Sequence, residues 1–197
     1  MDKKLHIIGL AGTNGSGKDT VGDLLAREHN YLFISVTALL RTECQRRSLP
    51  VERENLRMIS AEWRRELGLG VLIDKAVAEY EIVKDQYAGV VMASLRNPGE
   101  ADRVHEFGGI VVWIDADPRT RYDRIQANVA TRGRAEEDNK TYEQFLAEEE
   151  AEMHVPEGGD IAMLDSASVK DRSDIFLTND SSDLTALSLA IQTSLGL

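Results

Sequence analysis

Five short apolar runs punctuate the chain: residues 5–11 (LHIIGLA), 31–36 (YLFISV), 89–95 (GVVMASL), 109–116 (GIVVWIDA) and 174–179 (DIFLTN). Each is apolar on consecutive rather than alternate positions and rich in β-branched or aromatic side chains. That pattern predicts parallel strands covered on both faces. Between the runs the period becomes helical. In KDTVGDLLAREHN, Val21, Leu24 and Leu25 share a face, and PGEADRVHEF has Pro98 near its start, where proline is tolerated. DPRTRYDRIQANVA and DLTALSLAIQTSL complete the alternation. Strands alternating with helices predict an α/β three-layer sandwich on a five-stranded parallel sheet.

Two stretches are too long for simple crossovers. Residues 37–88 are helix-like and rich in Arg and Glu; Leu56, Ile59, Trp63 and Leu67 recur there at helical spacing. Residues 126–173 hold the acidic run EQFLAEEEAEM and the loop VPEGGD. Both read as insertions at the mouth of the sheet. The expected organisation is one domain over 1–197, with a core of 1–36, 89–125 and 161–197, a helical insertion at 37–88 and a lid region at 126–160.

Composition narrows the class. No apolar run approaches the roughly 20 residues of a membrane helix, and five apolar residues near the N-terminus are too few for a signal peptide. Cys44 is alone, so no intrachain disulfide or Cys-rich zinc site can form. A cytoplasmic protein, monomer or homodimer, is expected. The net charge of −11 falls wholly in residues 101–197. A pI near 4.9 argues against a broad nucleic-acid surface, which needs a basic face. Within the acidic half, Arg119, Arg121, Arg124, Arg132 and Arg134 are gathered. Spacing leaves open whether they form a local anion site or surface ion pairs. His6, His29, His105 and His154 share no metal-ligand spacing, and Trp63 and Trp113 read as core.

The chemistry begins where the first strand runs into GTNGSGK, a G-x-x-x-x-G-K loop, and then into a helix. Its glycines let backbone N–H groups approach phosphate oxygens without a Cβ in the way. The helix points its positive end at the same anion, and Lys18 adds a full charge. Gly12, Thr13, Asn14, Gly15, Ser16, Gly17, Lys18, Asp19 and Thr20 are thus the candidate nucleotide loop. Asp19 stands where such loops usually carry Ser or Thr. It can hold Mg²⁺ or stabilise the first helical turn.

GTNGSGKDT resembles the phosphate loop of P-loop nucleoside and deoxynucleoside monophosphate kinases and their dephospho-CoA-kinase-like relatives. The resemblance continues in family order over most of the chain. FISVTALLR matches the adenylate-kinase segment I-S-T-G-D-[LM]-L-R at Ile34, Ser35, Leu40 and Arg41, with Val36-Thr37-Ala38 replacing its middle. GVVMASLRNPGEADRV is similar to the third strand and its turn, with Arg96 in place but Met-Ala-Ser where the family has an acid. The lid resembles residues 117–145, and SDIFLTNDSSDLTAL the last strand, turn and helix.

The resemblance implies a P-loop kinase using ATP and Mg²⁺ on a small phosphorylated acceptor, with a nucleoside monophosphate preferred. Lys18, Arg41, Arg96, Arg132 and Arg134 would be catalytic, with Arg41 and Arg96 on the acceptor phosphate. Thr20 would serve the α-phosphate. Arg124, Asn179 and Asp180 would lie at the donor nucleotide, and carboxylates after the lid arginines would pair with them when the site is open. Asp19 is the candidate metal ligand, with Asp115, at the end of an apolar strand, as the other carboxylate to consider. Asp117 and Asp183 read as helix caps. The alternatives are another small acceptor such as dephospho-CoA, or a nucleotide-binding regulatory module.

Overall fold

A computed structural model describes residues 6–132, 138–181 and 183–197, apart from the side chains of 131 and 132. The strands are β1 (Ile7–Gly12), β2 (Tyr31–Ser35), β3 (Gly89–Leu95), β4 (Ile110–Asp115) and β5 (Ile175–Thr178). All pairings are parallel, in the order β2-β3-β1-β4-β5. The expected α/β fold with a five-stranded parallel sheet is therefore present. β1 is central because Ile8, Leu10 and Ala11 are apolar on both faces and fully buried.

Alternation along the strands divides the core into two layers. Val90 and Met92 face one way, with Trp113, onto α2 (Val36–Arg46), α3 (Arg53–Leu67), α4 (Val71–Val83) and α5 (Pro98–Glu106). Val91 and Ala93 face the other way, with Ile8 and Leu10, onto α1 (Lys18–His29) and the C-terminal helix. On α1 the inward face is Val21, Leu24 and Leu25, as the period predicts. On α3, Leu56 and Ile59 are buried, but Leu67 is exposed because the helix ends there.

After β4 come α6 (Pro118–Ala127), the short α7 (Val129–Arg132) and α8 (Tyr142–Met153), the acidic run of the sequence. Then follow α9 (Ser166–Asp171), β5 and α10 (Leu184–Leu195). Asp117 caps α6 by accepting from the N–H groups of Arg119 and Thr120, and Asp183 caps α10 from those of Thr185 and Ala186, both as expected. No helix among the described residues is long and apolar enough to cross a membrane.

The carboxyl end of β3 is irregular. Leu10 pairs with Ala93 but Ala11 with Leu95, so Ser94 is bulged out of the ladder. Its φ of 77° lies in the left-handed region that disfavours a side chain.

Candidate active site

β1, β3 and β2 end side by side, and their carboxyl ends open into a cleft of about 610 Å³. Ligands of open α/β sheets bind at such ends, and the volume suits a small molecule. The P-loop and the start of α1 form one wall, α2 and α3 another, and Ser94 and Arg96 the floor.

The P-loop has the geometry its glycines predict. Gly15 (φ 80°) and Gly17 (φ 99°) are left-handed, and Gly17 caps α1. A Cβ at Gly17 would lie 2.5 Å from Asn179 Nδ2. Lys18 curls back over the loop and donates to the carbonyls of Gly12 (2.9 Å) and Thr13 (2.6 Å). Burial, followed by the positive charge of Arg96, pulls its ammonium down to about 7. Ser16 Oγ is buried without a hydrogen-bond partner. A loop with an orphaned hydroxyl and an under-compensated lysine fits an anion. Asp19 is exposed in the first turn of α1 and lines the cleft with Asp23 one turn on, and Thr20 lines it too.

Several sequence candidates brace this loop. Asn179, on the segment after β5, donates through Nδ2 to the Ser16 carbonyl (2.8 Å). Arg124 donates to the carbonyls of Asn179 (2.7 Å) and Ser181 (2.8 Å) and also lines the cleft. Asp180 accepts from the N–H of Asp117 (2.6 Å). Asp115 accepts from the Thr13 hydroxyl (2.6 Å) and the Ala116 N–H (2.8 Å), with Arg121 Nε 3.6 Å away. That carboxylate is tied to the loop and faces a guanidinium. Arg121 is almost fully buried; it donates to the carbonyls of Ala116 and Asn14 and pairs with Glu149 on α8.

Arg41, on α2, lines the cleft, and its buried Nη2 has no hydrogen-bond partner. Arg96 follows β3 and is positioned with care. Glu100, fully buried, accepts the N–H groups of Arg96 (2.7 Å) and Asn97 (3.2 Å) through one oxygen. Its other oxygen takes two bonds from buried Arg64. The Arg96 carbonyl accepts from the Asp165 N–H, and Asn97 Nδ2 donates to the carbonyls of Ile161 and Met163. Arg132's side chain and Arg134 lie outside the described residues.

Sequence reasoning missed Arg53, Arg57 and Glu152. Arg53, Arg57, Ser60 and Arg64 all line the cleft, four positions of α3 at helical spacing. The signal was a polar stripe beside the apolar one on that helix. Glu152, on α8, bonds Arg57 Nη2 (2.6 Å), Arg53 Nη1 (3.4 Å) and Arg96 Nη1. Burial acts to raise its carboxyl, but Arg96, Arg53 and Arg57 outweigh that and hold it at about 2.

Comparison with known proteins agrees with this geometry. The family model described as AAA domain matches residues 8–146. The UPF0200 protein of Pyrococcus abyssi is 32% identical over 177 residues, 85% of this chain and 88% of that protein. The UPF0200 protein of Thermococcus gammatolerans is 29% identical over 174 residues, covering 85% and 87%. A shikimate kinase of Gloeobacter violaceus is 35% identical over 124 residues, 62% of this chain and 63% of that protein. The structure of shikimate kinase from Bacteroides thetaiotaomicron superposes with a TM-score of 0.60 at 16% identity, covering 98% and 99%; that likeness concerns the fold. The relatives thus support the kinase-like P-loop superfamily read from the sequence, at a coarser level than nucleoside monophosphate kinase. The chain belongs to the UPF0200 family and carries an AAA-type P-loop domain with the architecture of the small-molecule kinases.

Proposed function

We propose that the protein transfers the γ-phosphate of ATP to a small acceptor that already carries a phosphate, with a nucleoside or deoxynucleoside monophosphate as the acceptor class. The observation that carries this reading is the gathering of Arg41, Arg53, Arg57 and Arg96 in one cleft beside the P-loop. Guanidinium groups grip phosphate at two points, and the donor phosphates need only the P-loop, α1 and Lys18.

Phosphoryl transfer asks a protein for positioning and charge neutralisation more than for covalent chemistry. Lys18 would hold the β- and γ-phosphates, Arg41 and Arg96 the acceptor phosphate, and Arg132 and Arg134 the transferring group. Arg124 and Asn179 would support the donor end. Among the described residues no group of three or more His, Cys, Asp or Glu could hold a metal, so phosphate oxygens would supply most Mg²⁺ ligands. Asp19, exposed on the cleft wall, fits as the protein's contribution; the ion would neutralise charge on the donor phosphates. A phosphate acceptor is already nucleophilic. That suits a floor made by Ser94 of β3 and by Arg96 just after it, and a Glu152 carboxylate too acidic to be an effective base. Closure of residues 37–88 and 126–160 would exclude water from the reaction.

One observation favours a second reading. The Gloeobacter relative is named shikimate kinase, and the same arginines would suit an acceptor bearing a carboxylate and a hydroxyl. The test is ADP formation from ATP–Mg²⁺ with each ribo- and deoxyribonucleoside monophosphate, dephospho-CoA and shikimate. Stimulation by one or more monophosphates is expected, abolished in Lys18→Ala and weakened in KM for the acceptor by about 10-fold or more in Arg96→Ala. Stimulation by shikimate alone moves the assignment to the second reading. No stimulation by any acceptor leaves a nucleotide-binding regulatory module.

A further inference from the structure

The arginine cluster already contains an anion, and that anion belongs to the chain. Glu152 is drawn from α8 across the cleft to α3 and to the end of β3, where it meets Arg53, Arg57 and Arg96 together. Only 12% of its side chain is exposed. α8 presents two further carboxylates along the same reach. Glu148 pairs with Lys140 and Arg53, and Glu149 with Arg121, which also bonds the P-loop carbonyl of Asn14. α8, seated on α6 through its buried Phe145, is thus also strapped to both walls of the cleft by charge, and Glu152 is the strap that enters the anion site.

Resting on the acceptor reading above, we propose that Glu152 is a specificity-determining residue. It is an internal competitor seated where the acceptor's anionic group binds, so the cleft admits acceptors that present a phosphate dianion and rejects single carboxylates. A buried ion pair broken without replacement leaves uncompensated charge. An entering phosphate compensates all three guanidinium groups and frees Glu152 to water. An entering carboxylate only exchanges one monoanion for another and gains nothing. Displacement also releases α8 from Arg57 and Arg96, leaving Glu148 on Arg53, which links acceptor binding to the position of the helix beside the P-loop.

The test reads anion binding without turnover, so it stands or falls apart from the acceptor panel. Inorganic phosphate and acetate are titrated separately into the ¹⁵N-labelled full chain, following the Nε–Hε signals of Arg57 and Arg96. In the wild type, phosphate should perturb both signals and acetate neither. Glu152→Gln keeps the shape and removes the charge. It should bind phosphate about 10-fold tighter or more and respond to acetate as well. Adding Arg57→Ala to that variant should cancel the gain. Equal or weaker phosphate binding in Glu152→Gln, or an acetate response in the wild type, overturns the proposal and makes Glu152 a brace for the arginines. Should the variant fail to fold, the wild-type Glu152 carboxylate carries the test through its ¹³C chemical shift at pH 8, where phosphate is the dianion. Saturating phosphate should move that shift towards the value of a solvated glutamate, and an unchanged shift overturns the proposal equally.

Discussion

Lys18 is the residue on which the donor half of the site turns. Its ammonium is buried against two carbonyls and near Arg96, which leaves it at about 7 rather than the usual 10.5. The unfolded chain therefore binds more protons than the folded one between about pH 7 and 10.5, and this residue's contribution to stability rises with pH across that window. A bound polyphosphate should reverse the shift. ATP binding at pH 8 should take up a proton, seen as a buffer-dependent heat in calorimetry, and Lys18→Ala should remove it. Ser94 invites a second measurement. Its left-handed φ of 77° in a strand bulge stores strain beside the cleft. Ser94→Gly should raise stability by about 1 kcal/mol in denaturant titration; a loss would mean that the hydroxyl anchors the bulge.

At the level of elements, α3 and α5 meet through one buried pair. Arg64 and Glu100 are almost wholly inaccessible, and Glu100 also holds the turn that presents Arg96. Breaking such a pair from one side leaves a buried charge. Glu100→Leu should cost about 3–5 kcal/mol in thermal or denaturant unfolding. Arg64→Met combined with Glu100→Leu should recover part of that loss, because no charge is then stranded, while Arg96's turn stays loosened. The apolar period of α3 foretold the helix and two of its core residues. Its arginine stripe went unread because a charged stripe on a helix is usually its solvated face. What gives Arg53 and Arg57 their partners is α8, which returns from far along the sequence with Glu148 and Glu152.

For the whole molecule, α8 is the element that joins the two halves of the cleft. Glu152 sits at about 2 when folded against 4.5 for a free glutamate, so its contribution to stability is full above pH 4.5 and is lost as pH falls towards 2. The stability difference between wild type and Glu152→Gln should therefore shrink across that window in pH-dependent unfolding; a constant difference would show that the charge is not what holds α8.

The five strands, the helices between them, the P-loop and the caps at Asp117 and Asp183 were legible because each is written in neighbouring residues, through period, glycine spacing or a capping side chain. Arg96 could be placed at the sheet's carboxyl end for the same reason, since it follows β3 directly, whereas Arg41, inside α2, was reached only through the family resemblance. Contacts between distant segments were not legible. Arg57 and Glu152 are 95 residues apart and Arg96 and Glu152 are 56 apart; Asn179 reaches the P-loop across 163. No local pattern encodes which carboxylate will meet which guanidinium. That is decided by how α8 and β5 pack back onto the sheet, where burial makes an unpaired charge too costly to leave.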